Sequence, residues 1–228
     1  MERDINSIIG YRMVATDGEI GKVDDFYFDD ETWVIRYLIV EMQVGMSGRK
    51  VLITPEALVR DRPVKEVFFV DHTRDQILNS PDIDTDKPVF RQQEIELYGH
   101  YAWKGYWESG FYAGGLGSVV DGLPEGTRRL GADLHLRSCC YVTGFHVHGT
   151  DGEIGYVCDF IVDDRTWKLL YLVVDARPFR GGKKVLISVE HILQMRWSDS
   201  DIYVDETEAC VLKSKVFELA AFTDLPKD

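Results

Sequence analysis

The chain is 228 residues long, 45% hydrophobic and 29% charged, a composition that belongs to folded globular proteins and excludes an intrinsically disordered chain. Its net charge of −13, spread evenly along the sequence, repels phosphate backbones and argues against nucleic acid as a partner. No apolar stretch reaches the ~20 residues of a membrane-spanning helix, and the opening MERDINSIIG carries acids where a secretory signal is basic, so a cytoplasmic location is expected.

In chain order, Asp17-Gly18 is the first strong signal, expected as a type I′ hairpin turn with positive φ at both residues. Val23 to Phe28 and Val34 to Val40, rich in β-branched and aromatic residues, predict strands on either side of a second turn at Asp29-Asp30, just before Trp33. The second run is almost continuously apolar, which predicts burial on both faces. Arg49 to Thr54 predicts another strand, and Thr54-Pro55 opens a short helical turn. Thr73 caps a helix over RDQILN that ends at Ser80-Pro81.

The next segment, 82–137, reads as an aromatic and Gly-rich linker, because aromatics and glycines in YGHYAWKGYWESGFYAGGLGS follow neither a helical nor a strand period. Burying one such ring contributes about 1.5–3 kcal/mol, so these side chains are expected to pack on one or both domains. Trp103, Tyr106 and Trp107 are the candidate partner-binding surface within it. Gly114-Gly115-Leu116-Gly117 lacks the following Lys-Ser/Thr of a phosphate-binding loop.

From Thr150 the first pattern returns. TDGEIGKVDDFYFDDETWVIRYLIVE at Thr16 reappears as TDGEIGYVCDFIVDDRTWKLLYLVVD, and the same offset of 134 residues aligns Gly10 with Gly144, Arg49–Thr54 with Lys183–Ser188 and Val70 with Val204, without a gap. One unit copied once describes two small domains and not a solenoid. The expected boundaries are 1–81 and 138–214 for the two domains, 82–137 for the linker, and 215–228 for a C-terminal helix and tail.

In each copy a DGEIG hairpin is followed by G-x-V-x-D, an Asp-Asp turn and a Tyr-Leu-Ile/Val-Val strand. The pattern resembles the PRC-barrel domain, found in the photosynthetic reaction-centre H subunit and in the C-terminal part of the small-subunit ribosome maturation factor. The resemblance covers both repeats and implies a mainly β fold of two tandem small antiparallel β-barrels. It also implies binding and assembly in place of catalysis, with another protein or a membrane-complex surface as partner and self-association into a homo-oligomer open. The apolar runs Val34–Val40 and Leu169–Val174 predict that the two barrels face each other in a pseudo-twofold arrangement.

Residues present in both copies, such as Asp25/Asp159, Trp33/Trp167 and Glu56/Glu190, are expected to build the fold, with the turn acids satisfying backbone donors. If Asp151-Gly152 is a two-residue turn, His146 lies diagonal to Asp159 and Arg12 lies diagonal to Asp25, predicting a cross-strand clamp in each barrel. His146 and His148 share a strand face and are the candidate metal ligands, short of the set a zinc site requires and with Cys158 on the opposite face. Cys139, Cys140, Cys158 and Cys210 have no counterparts in the first copy, which excludes a shared disulfide framework. The adjacent Cys139-Cys140 pair is the redox candidate. No cofactor and no catalytic constellation is expected; the alternatives are a peripheral accessory subunit of a photosynthetic or other membrane electron-transfer complex, as the resemblance to the H subunit implies, and an enzyme or metal protein using His146 and His148.

Overall fold

The computed structural model describes residues 1–44, 47–60, 64–81, 91–103, 135–176 and 183–213. The first half runs β1 (Glu2–Asp4), α1 (Ile5–Ile8), β2 (Arg12–Ala15), β3 (Gly18–Asp29), β4 (Ile35–Val44), β5 (Ser47–Ile53), a 3-10 turn at Pro55–Ala57, β6 (Val67–Phe69) and α2 (Arg74–Leu78). Helix α3 (Arg91–Tyr101) follows. The second half runs β7 (Leu136–Ser138), α4 (Cys139–Val142), β8 (His146–Gly149), β9 (Gly152–Asp163), β10 (Lys168–Ala176), β11 (Lys183–Ser188), a 3-10 turn at Val189–His191, β12 (Ile192–Arg196), β13 (Asp201–Val204) and α5 (Glu208–Lys213). Among the described residues no helix is long and apolar enough to cross a membrane.

The DGEIG motif explains the shared hairpin. Only the glycine of each turn has positive φ, +149° at Gly18 and +152° at Gly152, so the turns are not the expected type I′. Asp17 and Asp151 instead accept from the backbone N–H of Arg74 and Glu208, tying each hairpin to the helix that closes its half. The register jumps between Met13 and Val14, and between Val147 and His148, so Ile20 and Ile154 are extra residues in the ladder and both are buried. A Cβ at Gly21 or Gly155 would overlap the carbonyl of Glu41 or Asp175 on the adjacent strand, which is why the motif ends in glycine.

Each half forms one sheet, in the order β5-β4-β3-β2-β6 and β11-β10-β9-β8-β13-β12. Two features depart from the antiparallel barrel expected. The pairs β2–β6 and β8–β13 are parallel, and among the described residues neither sheet closes on itself. Closure is unnecessary because one apolar cluster runs through both halves, from Phe26, Phe28 and Leu38 to Phe160, Leu172 and Val174.

What joins the halves is a reciprocal exchange. Strand β1 leaves its own sheet and pairs with β9, Glu2 opposite Asp163 and Asp4 opposite Ile161. Strand β7 does the same to β3, Leu136 opposite Asp29 and Ser138 opposite Tyr27. β3 and β9, at 12 residues each, are long enough to hold their own hairpin partner along one end and the other half's strand along the other. At the seam the Ile35 N–H donates to the Trp167 carbonyl at 2.8 Å and the Leu169 N–H to the Trp33 carbonyl at 2.7 Å. Both tryptophans sit at positive φ, 59° and 57°, unusual for a bulky side chain, and each turn is fixed by the tryptophan N–H donating to Asp29 or Asp163. The expected pseudo-twofold arrangement is therefore present, produced by strand exchange as well as by apposed apolar faces.

Residues 91–101 of the insert form a helix, which the expectation of a linker without period did not include. α3 packs on the outer face of the first sheet, with Leu97, Tyr98 and Tyr101 buried, Tyr98 edge-on to Tyr37, and the Tyr37 hydroxyl donating to Glu94 Oε1 at 2.6 Å. Residues 104–134 and the expected C-terminal helix lie outside the described residues.

Phe28 stacks on Trp33 at 5.4 Å and touches Phe160 of the other half at 5.9 Å, fully buried. Phe28→Ala is expected to cost about 3–5 kcal/mol. In denaturant, tryptophan fluorescence and far-ultraviolet circular dichroism should shift together as one transition; two separated transitions would show that the halves fold independently.

Candidate functional site

The acids repeated in both halves serve the seam. Asp29 Oδ1 accepts from the N–H groups of Glu31 and Thr32 at 3.1 and 2.8 Å, and Asp163 accepts from the Arg165 N–H and the Thr166 hydroxyl. Asp25 Oδ1 accepts from its neighbour Phe26 at 2.7 Å and, across the seam, from the Cys140 N–H at 3.1 Å, while Ser138 donates its hydroxyl to Oδ2. Asp159 Oδ1 accepts in the same way from Phe160 at 2.8 Å and from Asn6 of the first half at 3.1 Å. Each half thus holds the other's short helix with a buried carboxylate.

The two copies differ in the side chain that faces this carboxylate. Where Ser138 faces Asp25, its counterpart facing Asp159 is Asp4. Asp4 Oδ1 accepts from the Ser7 N–H at 2.9 Å, but Oδ2 is buried and receives no hydrogen from any described group. Burial, joined by the hydrogen bond and charge of Asp4, pushes the Asp159 carboxyl up to about 7. In its protonated form Asp159 supplies Asp4 Oδ2 with the donor it otherwise lacks. Asp25 is also raised by burial, against which the Ser138 and backbone hydrogen bonds act.

The expected clamps do not form. The bulges at Ile20 and Ile154, with register breaks between Val23 and Asp25 and between Val173 and Val174, turn Asp25 and Asp159 inward toward the opposite half. Arg12 instead meets Glu19 at 3.3 Å, and His146 meets Glu153 at 2.9 Å, both on the exposed surface. His148 Nε2 contacts Asp201 at 3.0 Å and its ring stacks on Tyr203 at 5.1 Å. The two histidine rings lie 6.5 Å apart, and among the described residues no three His, Cys, Asp or Glu side chains gather to hold a metal. Glu190 N–H is capped by Ser188, whereas Thr54 makes no such side-chain cap beside Glu56.

Three of the four thiols are shifted away from the thiolate form. Cys139 is fully buried and raised well above the usual thiol range by that burial, Cys140 is pushed up by burial to about 12 and Cys158 to about 11. Thiolate, the reactive form, is therefore scarce at neutral pH at these three positions. Trp103, offered by sequence as a partner contact, is half-buried; it stacks on Tyr101 at 4.2 Å and donates its indole N–H to His72 Nε2 at 3.0 Å. Tyr106 and Trp107 lie outside the described residues.

A cleft of about 250 Å³ opens on one side of the seam. Its walls include Ile8, Tyr11, Leu58 and Phe68 of the first half and Trp167 of the second, with Arg3 and Arg60 at its edge. Tyr11 and Phe68 lie 5.5 Å apart, Phe68 and Trp167 6.1 Å. Arg3 is held by Asp164 at 3.0 Å. Sequence reasoning missed this site because its residues come from separated elements brought together by the exchange. The strand periodicity that reveals β3 and β4 carries no trace of which edge β1 joins.

An acid whose folded value stands above its unfolded one binds extra protons when folded, so stability falls as pH rises through the interval between them, here from 3.8 to about 7, and is flat above it. Asp159→Asn supplies an amide hydrogen to Asp4 without a proton and should raise the denaturation midpoint at pH 8. The difference between variant and parent should shrink toward pH 4. A variant no more stable than the parent at pH 8 would refute this pairing of Asp159 with Asp4.

No curated protein matches the sequence. The PRC-barrel domain matches in two segments, residues 1–77 and 142–209, which together cover more than half of the chain and fall one in each half, the second beginning after the exchanged strand β7. The chain is a member of the PRC-barrel family, carrying the domain twice.

Proposed function

We propose that the protein is a non-enzymatic interaction and assembly module, which docks another protein at the seam between its two PRC-barrel units. The observation that carries this reading is the cleft bordered by Tyr11, Phe68 and Trp167, an aromatic concavity with arginine at its edge. Aromatic and arginine side chains are the groups that dominate protein-binding hot spots. Two further features support it. PRC-barrel domains are often involved in protein interactions. The acids common to both copies, Asp25, Asp29, Asp159 and Asp163, are turned to backbone donors and to the opposite half, which occupies them structurally.

Photo-cross-linking in the native host tests this directly. A benzophenone side chain is placed at Val64, which borders the cleft and is 49% exposed, or at Leu193, 68% exposed on the second half. The expected result is one dominant protein adduct from position 64 that is absent from position 193. Equal adducts from both positions, or none from either, would contradict docking at the seam.

A further inference from the structure

The duplication places a second cleft site on the opposite side of the seam, and there the chain fills it with its own side chain. Trp197, half-buried, lies with its ring 5.8 Å from Phe145, and the Arg137 guanidinium sits 4.1 Å above the ring centroid. Asp30 holds Arg137 in that position at 2.9 Å.

Every one of these supports recurs around the open cleft. At the offset of 134 residues, Phe145 corresponds to Tyr11, Arg137 to Arg3, Asp30 to Asp164, and Trp33 to Trp167. Arg3 is pinned by Asp164 at 3.0 Å as Arg137 is pinned by Asp30, so the cation is already positioned over a place where a ring would lie. The residue aligned with Trp197 is Pro63, which has no aromatic ring to supply. A volume of about 250 Å³ suits one ring system better than a drug-sized ligand or a nucleotide.

We propose that the open cleft receives an aromatic side chain, an indole above all, presented by a partner protein in the place that Trp197 fills in the other half. The arrangement rests on the reading of the seam as a docking site and adds what the partner must bring. One tryptophan enters between Tyr11 and the Arg3 guanidinium. The second half shows the occupied form of the same device, and the first half shows it waiting.

The test is fluorine NMR with a short Ser-Gly-Trp-Gly-Ser peptide carrying 5-fluorotryptophan, and with 5-fluoroindole-3-acetate as a small-anion arm. The full chain is expected to bind one equivalent of the peptide. Val64→Trp, a change at an exposed wall position, should weaken that binding by about tenfold or more by filling the cleft. Trp197→Ala should add a second equivalent, as an excised ring leaves an apolar space that accepts a ring in return.

The proposal is overturned if the parent binds no peptide, if Val64→Trp binds as well as the parent, or if only the indole acetate binds. A parent that binds none while Trp197→Ala binds one would mean that the chain itself closes the first cleft, and that result also overturns it. Should the benzophenone at position 64 still capture a single protein after such a result, docking at the seam would stand and only the aromatic occupant would be lost.

Discussion

The structure depends on one mutual constraint: each half is completed by backbone from the other. Strand β1 extends the second sheet, β7 extends the first, and the Trp33 and Trp167 carbonyls accept from Leu169 and Ile35 across the seam. None of these bonds can form in one half unless the other is folded. The strained positive φ at both tryptophans is tolerated because the same turn satisfies a carbonyl in each direction and stacks an indole on the shared core. The burial of Asp25 and Asp159, and the cleft bordered by Trp167, are consequences of that crossing.

Given two equivalent seams, the differences between them are informative. Ser138 completes Asp25 with a hydroxyl, while Asp4 faces Asp159 with a second carboxyl, so one side is closed by a neutral donor and on the other the neighbouring carboxyl helps to raise Asp159. Trp197 fills one cleft under Arg137, while the residue aligned with it in the first copy of the sequence is a proline, Pro63. The outer faces differ too. Helix α3 covers the first sheet through Tyr98 and Glu94, whereas Ile161, Val173 and Leu186 form a separate buried cluster on the second. Duplication supplied a symmetric frame, and a few side chains gave its sides unlike chemistry.

How much was legible in the sequence follows from the range of each signal. The repeat, the strands β3, β4, β9 and β10, and the Thr73 cap are local. Thr73 and Gln76 indeed form a reciprocal capping box at the start of α2, and the run from Ile35 to Val40 is buried except for Arg36. Hairpin pairing was misjudged because a bulged residue such as Ile154 is an ordinary isoleucine in the sequence, yet that bulge and the register break opposite Val173 and Val174 together turn Asp159 to the seam. Strands β1 and β7, Glu-Arg-Asp and Leu-Arg-Ser, are three residues long and have no apolar alternation; pairing with a distant sheet stabilises them, and local propensity does not. Helix α3 was hidden by its near-zero amphipathicity, since it buries a glutamate beside its tyrosines in place of a clean apolar stripe.

The central claim is that the seam opens only when the whole chain unfolds. Native-state hydrogen exchange at Ile35 and Leu169, whose N–H groups cross the seam at 2.8 and 2.7 Å, reads it most directly. Protection of both amides equal to that of Val40 and Val174 in the strand interiors is the predicted result. Exchange about 100-fold faster at the seam, with the strand interiors still protected, would show that the halves part on their own and would contradict the account.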